Sequence, residues 1–206
     1  GAEMIAKKYD LSKDALDEFG FESQRKGAAA ANAHAFDSEL VVVEGRDTEN
    51  NPAPHKVDEG IRFDATLEAT RAVKLLAPDG RLTAATSSQI CDGASGCIIV
   101  NARGLKALGV EPIARIHSMT VVGEDPVIML EAPIGATKKA LAKAGMRIDD
   151  IDLYEVNEAF ASVPMAWLKE TGADPAKLNV NGGAIALGHP LGASGTKLMA
   201  TLVHAL

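Results

Sequence analysis

The sequence predicts an α/β fold in which a mainly parallel sheet is covered by helices on both faces. From Arg81 onward, short apolar runs typical of buried strands alternate with helical patterns, most of which end at a glycine. The 206 residues are 47% hydrophobic and 24% charged, an ordinary composition for a globular protein with a sizeable core. Ligands of such sheets bind beyond the carboxyl ends of the strands, so the loops there are the first candidates for a functional site.

Residues 1–78 differ from the rest and are predicted to be mostly helical. Ser12 can cap a helix that places Leu16 and Phe19 on one face and continues through small residues at 28–31. Strand signal in this third of the chain is confined to residues 40–43.

Two further elements are predicted in this third. The segment 44–60 is polar, contains two prolines and shows no periodicity, so it is predicted to be a surface loop. A short helix is predicted over residues 66–76, because Pro78-Asp79-Gly80 would stop it.

Beyond Arg81 the predicted elements alternate. Residues 97–100 form a wholly apolar run after Gly96, as expected of a strand buried on both faces. The other strands are predicted at 151–156, 178–180 and, more weakly, 112–122. Helices are predicted before Gly109, over 136–144 before Gly145, over 160–169 before Gly172, and over 191–206.

Composition excludes several classes of function. The net charge of −7, from 28 acidic and 21 basic residues, argues against a nucleic-acid partner, which usually requires a basic face. No apolar run approaches the roughly 18 residues needed to span a bilayer. The five histidines lack metal-ligand spacing, so no metal site is predicted. Cys91 and Cys97 suit reduced thiols of a cytosolic protein, with Cys97 in the core at the start of a strand.

The most informative segment is residues 181–195, with the sequence NGGAIALGHPLGASG. It contains the GxxxxG half of a phosphate-binding loop, from Gly183 to Gly188. However, His189-Pro190 stands where that loop requires Lys-Ser/Thr, so a nucleoside triphosphatase is excluded. A nicotinamide-dependent oxidoreductase is disfavoured because GxGxxG is absent. Imidazole moves protons near neutral pH, and the density of glycines favours a base at His189 over a histidine that merely caps the next helix.

A second polar segment, Glu155-Val156-Asn157-Glu158-Ala159-Phe160, follows a predicted strand at the same edge of the sheet. Asn157 could cap the following helix, with Glu158 favourable in its first turn. The Asn157 amide could equally hold a water or donate to a developing oxyanion beside His189. The sequence leaves these two alternatives open.

A third segment, residues 83–96, is small and polar, and it suits either a narrow ligand arm or a capped turn. Neither cysteine in or after it has a neighbouring base or cation in sequence that would lower its pKa. A ligand with several phosphates would need some of the cations in or near the helical third, which are Arg62, Arg71, Lys74 and Arg81. A solvated surface charge is the simpler interpretation of each of them.

These three segments, in this order, resemble the thiolase family of acyl-CoA acyltransferases. NGGAIALGHPLGASG is similar to the histidine motif of the family, YEVNEAFA to its Asn-Glu-Ala-Phe motif, and TAATSSQICDGAS to its pantetheine-side loop. The start of the chain resembles the family's lid-like loop region, so the resemblance covers essentially the whole chain. It implies a layered α/β sandwich divided into a loop region at 1–78, the end of the N-terminal half at 79–110 and the C-terminal half at 111–206.

The resemblance also implies roles for individual residues. His189 would activate a nucleophilic cysteine and help to hold the thioester oxygen, Asn157 would position a water in the same oxyanion hole, and Glu158 would support the network. The cofactor-binding positions implied for coenzyme A are Ala84 and Ser88 along the pantetheine arm, Phe160 beside the acyl thioester and Arg62 near the nucleotide.

Two features of the family are absent from this sequence. Its nucleophilic cysteine lies upstream in a Cys-Gly-rich setting, and its second cysteine lies downstream in a Cys-x-Gly-Gly-Gly setting; Cys91 and Cys97 match neither. We therefore expect an internal-to-C-terminal fragment that does not turn over by itself.

The resemblance finally implies the partners of the parent protein. Its substrate would be coenzyme A or an acyl-CoA, with no permanently bound cofactor, and it would be a cytoplasmic homodimer or homotetramer acting in lipid metabolism such as β-oxidation. Thr86 and Gln89 differ from the family's commoner Asn and Gly, and the acyl chain is left open. The alternative is a non-catalytic module that binds CoA or an acyl group.

Overall fold

The computed structural model describes all of residues 1–206 and contains eight α-helices and one two-stranded sheet. The helices, numbered in chain order, are α1 (Ala2–Lys8), α2 (Lys13–Asn32), α3 (Leu67–Arg71), α4 (Ala102–Leu108), α5 (Ala132–Ala144), α6 (Ser162–Thr171), α7 (Ala184–Leu187) and α8 (Ser194–Ala205). Short 3₁₀ turns lie at Ala84–Thr86, Ile148–Asp150 and Pro175–Lys177. No helix is long and apolar enough to cross a bilayer.

The longest helix, α2, begins where the sequence predicts. Ser12 Oγ accepts a hydrogen bond from the backbone N–H of Ala15 at 3.2 Å, which satisfies one of the free donors of the first turn. Gly20 and Gly27 lie on its buried face, and this lets the backbone of other segments approach α2 closely. The helix packs against α3 and α7, so it forms the support on which the glycine-rich segment rests.

The prediction that residues 44–60 lie at the surface is confirmed, but the prediction that they form a loop is wrong for two segments. Strand β1 (Val43–Arg46) pairs antiparallel with β2 (Pro52–His55) to form an exposed hairpin, and β1 starts at the end of the strand predicted over 40–43. Prolines are tolerated in a two-stranded hairpin because both strands are edges, where a missing N–H need not break a ladder. Asp47 Oδ1 closes the turn by accepting from the N–H groups of Glu49 and Asn51.

Two predicted strands are not formed. Residues 97–100 and 112–122 have no regular structure, and Ile98 and Ile99 are 84% and 65% exposed. A strand that is apolar on both faces needs neighbouring strands to satisfy its backbone and cover its side chains. No such neighbour lies beside these segments within residues 1–206, so Cys97 is exposed rather than in the core.

The predicted strands at 151–156 and 178–180 are reduced to one parallel bridge, between Tyr154 and Leu178. The chain then turns at Asn179, which has a positive φ of 44°. The Asn179 side chain continues the pairing: its Oδ1 accepts from Val156 N at 2.9 Å, and its Nδ2 donates to Val156 O at 2.9 Å. The predicted parallel sheet is thus represented in this chain by a single bridge extended by a side chain.

The helix ends agree better with the sequence. Gly109, Gly145 and Gly172 each adopt the left-handed conformation directly after α4, α5 and α6, as predicted. At the other end, α3 is shorter than the predicted 66–76, although Thr66 Oγ1 caps it by accepting from Ala69 N.

The hydrophobic core gathers around α6. Trp167 is 2% exposed and meets the Tyr154 ring edge-on, with 5.1 Å between the ring centroids. Adjacent clusters bury Ile185 against α1 and α2, and Ala186 and Leu187 against the end of α2. The short helix α7 is therefore completely enclosed, and it fixes the loop that carries His189.

Candidate active site

The glycine-rich segment passes very close to α2 and to a buried carboxylate. A Cβ at Gly182 would lie 2.7 Å from both Gly27 N and Ser23 O, and φ at Gly182 is +81°. A Cβ at Gly183 would lie 2.2 Å from the carboxyl carbon of Glu158. These two positions require glycine because backbone and carboxylate occupy the space of a side chain.

Glu158 is 1% exposed and holds three segments together. Its Oε2 accepts from Ser23 Oγ of α2 at 2.5 Å and from Ile185 N of α7 at 3.3 Å. Its Oε1 accepts from Asn179 Nδ2 at 2.8 Å. Ser23 Oγ in turn accepts from Gly183 N at 3.1 Å, so the network closes on the glycine-rich segment. Glu158 thus connects α2 to the glycine-rich segment, and none of its hydrogen bonds is to His189.

Buried carboxylates at this edge have raised pKa values. Burial raises the pKa of Glu158, and the hydrogen bonds from Ser23 and Asn179 oppose that rise. Burial also raises the pKa of Glu155 to about 8; the neighbouring charge of Glu158 adds to the shift, and Lys197 opposes it. Glu155 is therefore largely protonated near neutral pH, although it lies beside Asn157 in a small cleft.

His189 and Asn157 meet, as the sequence predicts. Asn157 Nδ2 lies 3.2 Å from His189 Nε2. On the other side of the ring, His189 Nδ1 lies 2.5 Å from Ser194 Oγ, and the His189 backbone N–H donates to Gln89 O at 3.2 Å. Ring and backbone are thus both held, and Nε2 is turned towards the amide that would complete an oxyanion site.

The charge state of His189 suits a base. Burial lowers the pKa of its imidazole, and the nearby ammonium of Lys197 lowers it further. A lowered pKa favours the neutral ring at neutral pH, and a neutral imidazole has one unprotonated nitrogen that can take a proton.

A cavity of about 610 Å³ opens beside the histidine loop. Its lining includes Gly188 and Pro190, on either side of His189, together with Gln89 and Cys91. Its charged lining is mostly acidic, with a single lysine: Glu39, Asp58, Glu59, Asp92 and Lys197. The volume is in the range of small-molecule sites.

The residues predicted along a pantetheine arm and acyl group are partly brought together. Ser87 and Phe160 form an antiparallel bridge, and Ser88 N donates to Ala159 O at 2.9 Å, so Ser88 and Phe160 are close neighbours of Asn157. Ala84 is exposed in the 3₁₀ turn that precedes them.

No side-chain hydrogen bond or ion pair joins Arg62 to this group. Its backbone N–H donates to Gln24 Oε1 at 2.8 Å, and its side chain is exposed. Within residues 1–206, no group of three or more His, Cys, Asp or Glu side chains is arranged to hold a metal ion.

Sequence reasoning missed four residues that shape the site. Ser23 and Asn179 bind Glu158, Ser194 binds the histidine ring, and Lys197 affects the pKa of both His189 and Glu155. Only Ser194 carried a signal, because it follows His189 by five residues within the same motif. The pairing of Ser23 with Glu158 spans 135 positions and has no local signature.

Known proteins similar to this chain belong to one family. The family model for the thiolase N-terminal domain matches residues 1–103, and that for the thiolase C-terminal domain matches residues 110–206. The chain is 50% identical to the steroid 3-ketoacyl-CoA thiolase FadA6 of Mycobacterium tuberculosis over 206 residues, 100% of this chain and 49% of that protein. It is 43% identical to the 3-ketoacyl-CoA thiolase of Marinobacter nauticus over 208 residues, 98% of this chain and 53% of that protein.

A solved structure is similar over the same span. The crystal structure of human mitochondrial 3-ketoacyl-CoA thiolase matches with a TM-score of 0.91 and 39% sequence identity, covering 100% of this chain and 52% of that one. This likeness confirms the predicted α/β, thiolase-like fold class. The chain spans about half the length of the curated relatives it matches. With both family models and these relatives in agreement, the chain belongs to the thiolase family.

Proposed function

We propose that the protein containing this chain is an acyl-CoA acyltransferase that cleaves a 3-ketoacyl-CoA with a thiol, or runs the reverse Claisen condensation. The observation that carries the proposal is the contact of 3.2 Å between Asn157 Nδ2 and the Nε2 atom of His189, whose pKa is lowered. A neutral imidazole next to an amide donor can take a proton from a nucleophile while the amide side supports negative charge on oxygen.

In the proposed reaction His189 Nε2 accepts the proton of a cysteine thiol, and the thiolate attacks the keto carbon. The bond between that carbon and the α-carbon then breaks, which leaves an acyl-enzyme and the enolate of the departing acyl-CoA unit. A second thiol moves the proton to the α-carbon of the departing acyl-CoA unit, and coenzyme A then takes the acyl group. Covalent catalysis of this kind divides one difficult step into two. Neither Cys91 nor Cys97 fills these roles in the proposal, so both thiols are assigned to segments other than residues 1–206.

We propose that the acyl thioester lies beside the contact between His189 and Asn157. Ser88 and Phe160 are held next to Asn157 by backbone pairing, which supports their predicted contacts with the pantetheine arm and the thioester. Ala84 would border the arm, and Arg62 would reach the nucleotide only from its exposed position. Coenzyme A is then a substrate, and no resident cofactor is required.

The remaining properties are proposals of the same kind. All three relatives compared above are called 3-ketoacyl-CoA thiolases, which favours a degradative role in lipid metabolism over a biosynthetic one. We propose that the parent protein is a homodimer or homotetramer in the cytoplasm. We also propose that the chain consists of a loop region (1–78), the end of the N-terminal thiolase half (79–110) and the C-terminal half (111–206).

The test compares residues 1–206 alone with a chimaera in which they replace the matching span of the human mitochondrial thiolase. Cleavage of acetoacetyl-CoA by coenzyme A is followed by loss of its enolate absorbance. We expect activity in the chimaera and none in the isolated chain, and an Asn157→Ala chimaera should lose ~10²-fold or more in kcat. A folded chimaera that binds acetoacetyl-CoA without cleaving it would contradict the proposal.

The alternative, a non-catalytic module for CoA or acyl groups, is favoured by one observation: a cavity of about 610 Å³, the size of a small-molecule site, is lined by neither His189 nor Asn157. Calorimetry distinguishes the two. A module should bind coenzyme A as residues 1–206 alone and show no acyl transfer in the chimaera, whereas an enzyme fragment needs the chimaera for turnover.

A further inference from the structure

Ser194 lies between the imidazole ring of His189 and the backbone carbonyl of Pro190, the next residue in the chain. It is the first residue of α8 and is 6% exposed. Its Oγ lies 2.5 Å from His189 Nδ1 and 3.0 Å from Pro190 O. No other hydrogen bond to a ring atom of His189 is present besides those of Ser194 and Asn157.

The single hydroxyl proton of Ser194 fixes the direction of both of its contacts. A serine hydroxyl carries one proton, and a carbonyl oxygen can only accept. The contact with Pro190 O therefore uses the Ser194 proton, and the contact with His189 must use a lone pair of Oγ. A lone pair facing Nδ1 at 2.5 Å requires that Nδ1 carry the ring proton.

The opposite side of the ring leads to the same tautomer independently. Asn157 presents its amide nitrogen, which only donates, to Nε2 at 3.2 Å. Nε2 must then be the unprotonated ring nitrogen. Two contacts from different elements, α8 and the segment before α6, agree on one arrangement of a single proton.

We infer that Ser194 is a positioning residue that holds His189 as the Nδ1–H tautomer and thereby makes Nε2 the atom that accepts a proton. The catalytic meaning of this inference rests on the proposed function. The tautomer itself is a property of the isolated chain.

The chemistry of a hydroxyl at this place differs from that of a carboxylate. A carboxylate orients a histidine and also stabilises its charged form, which raises the pKa of the ring. Ser194 orients the ring without adding negative charge, so the ring stays neutral between protonation events. When Nε2 takes a proton, Nδ1–H remains bonded to Ser194, and the ring need not turn to pass the proton on.

The test is 15N NMR of the imidazole nitrogens in residues 1–206 at about pH 8, above the usual pKa of histidine. The signals of His189 are identified by their absence in His189→Gln. In the wild-type chain we expect Nδ1 in the protonated, pyrrole-like range and Nε2 in the unprotonated, pyridine-like range. The opposite pattern, or a mixture of tautomers, would overturn the inference whatever becomes of the variants.

Two variants then test whether the Ser194 hydroxyl is what holds His189 as the Nδ1–H tautomer. In Ser194→Ala the Nδ1–H tautomer should lose its dominance. The matched control is Ser162→Ala, which removes another buried serine hydroxyl that donates to a backbone carbonyl, Ala2 O at 3.1 Å, and it should leave the pattern unchanged. An unchanged tautomer in a folded Ser194→Ala chain refutes the role of Ser194. Because no substrate or turnover is involved, this result is separate from success or failure of the thiolysis test.

Discussion

At the scale of single residues, the site combines groups whose charge is suppressed by their surroundings. His189 is kept neutral by burial and by the ammonium of Lys197, and Glu155 is kept protonated by burial next to Glu158. Glu158 itself accepts hydrogen bonds from Ser23, Asn179 and Ile185. A proton acceptor that works near neutral pH needs such an environment, because a charged imidazolium has no lone pair to offer.

The effect of Lys197 on the histidine can be measured directly. Lys197→Gln removes a positive charge near the ring, so the pKa of His189 should rise towards its usual value. An NMR titration of the His189 ring measures the shift. The control is Lys138→Gln, which removes an exposed ammonium paired with Glu170. Equal pKa values of His189 in the wild type and Lys197→Gln would refute the contribution of Lys197.

Glu155 should make stability depend on pH. Its folded pKa of about 8 is above the value of an unfolded glutamate, so its favourable contribution is complete below about pH 4.5 and is lost as pH rises to about 8. Glu155→Gln should therefore be more stable than wild type at pH 8 and above, on the order of 2 kcal/mol, and similar at low pH. Urea unfolding between about pH 4.5 and about pH 8 measures the difference in unfolding free energy between the wild type and Glu155→Gln. Glu170→Gln, which changes an exposed glutamate, is the control. A constant difference across the whole pH range would contradict the assignment.

At the scale of elements, the contact between α2 and the glycine-rich segment organises the site. The Cβ of alanine at position 183 would lie 2.2 Å from the Glu158 carboxyl group. Gly183→Ala should therefore cost about 1–3 kcal/mol of unfolding free energy, or displace Glu158 from Ser23. Gly192→Ala is the matched control in the same motif, since a Cβ there meets nothing within 4 Å. Equal urea midpoints for the two variants would disprove the close packing.

Helix ends could be predicted from the sequence because their causes are local. Ser12 bonds to a backbone N–H three residues away, and Gly109, Gly145 and Gly172 take a conformation that only their own missing Cβ allows readily. The strands could not be predicted in the same way, because a strand exists only with a partner. Residues 97–100 have the right apolar pattern and no neighbour, so they remain exposed.

In the candidate site, too, the contacts that depend on local sequence could be predicted and those between distant segments could not. His189 and Asn157 were predicted together because both follow strand-like segments that end at one edge, and their contact is present. Glu158 was predicted as a site residue, but its partner Ser23 comes from a helix 135 positions earlier. Packing between distant elements decided which polar groups meet, and the sequence pattern does not contain that information.

At the scale of the whole molecule, residues 90–121 expose several large apolar side chains. Ile90, Ile98, Ile113 and Val121 are each more than 70% exposed, and Ile99 is 65% exposed. Surfaces of this kind in water promote association. Residues 1–206 should bind an apolar dye and sediment as concentration-dependent oligomers, and Ile98→Thr with Ile99→Thr should reduce both effects. A chain that sediments as a monomer at all concentrations and does not bind the dye would contradict the exposure of this segment.

The most direct test of the central claim, that His189 is the base of a thiolase, is the rate of acyl-enzyme formation in the chimaera that carries residues 1–206. Rapid mixing with a 3-ketoacyl-CoA measures the burst of acetyl-CoA in a single turnover. We expect His189→Gln to slow the burst by ~10²–10⁴-fold, the usual contribution of a general base, with affinity for coenzyme A unchanged. A burst of wild-type rate in His189→Gln would contradict the account.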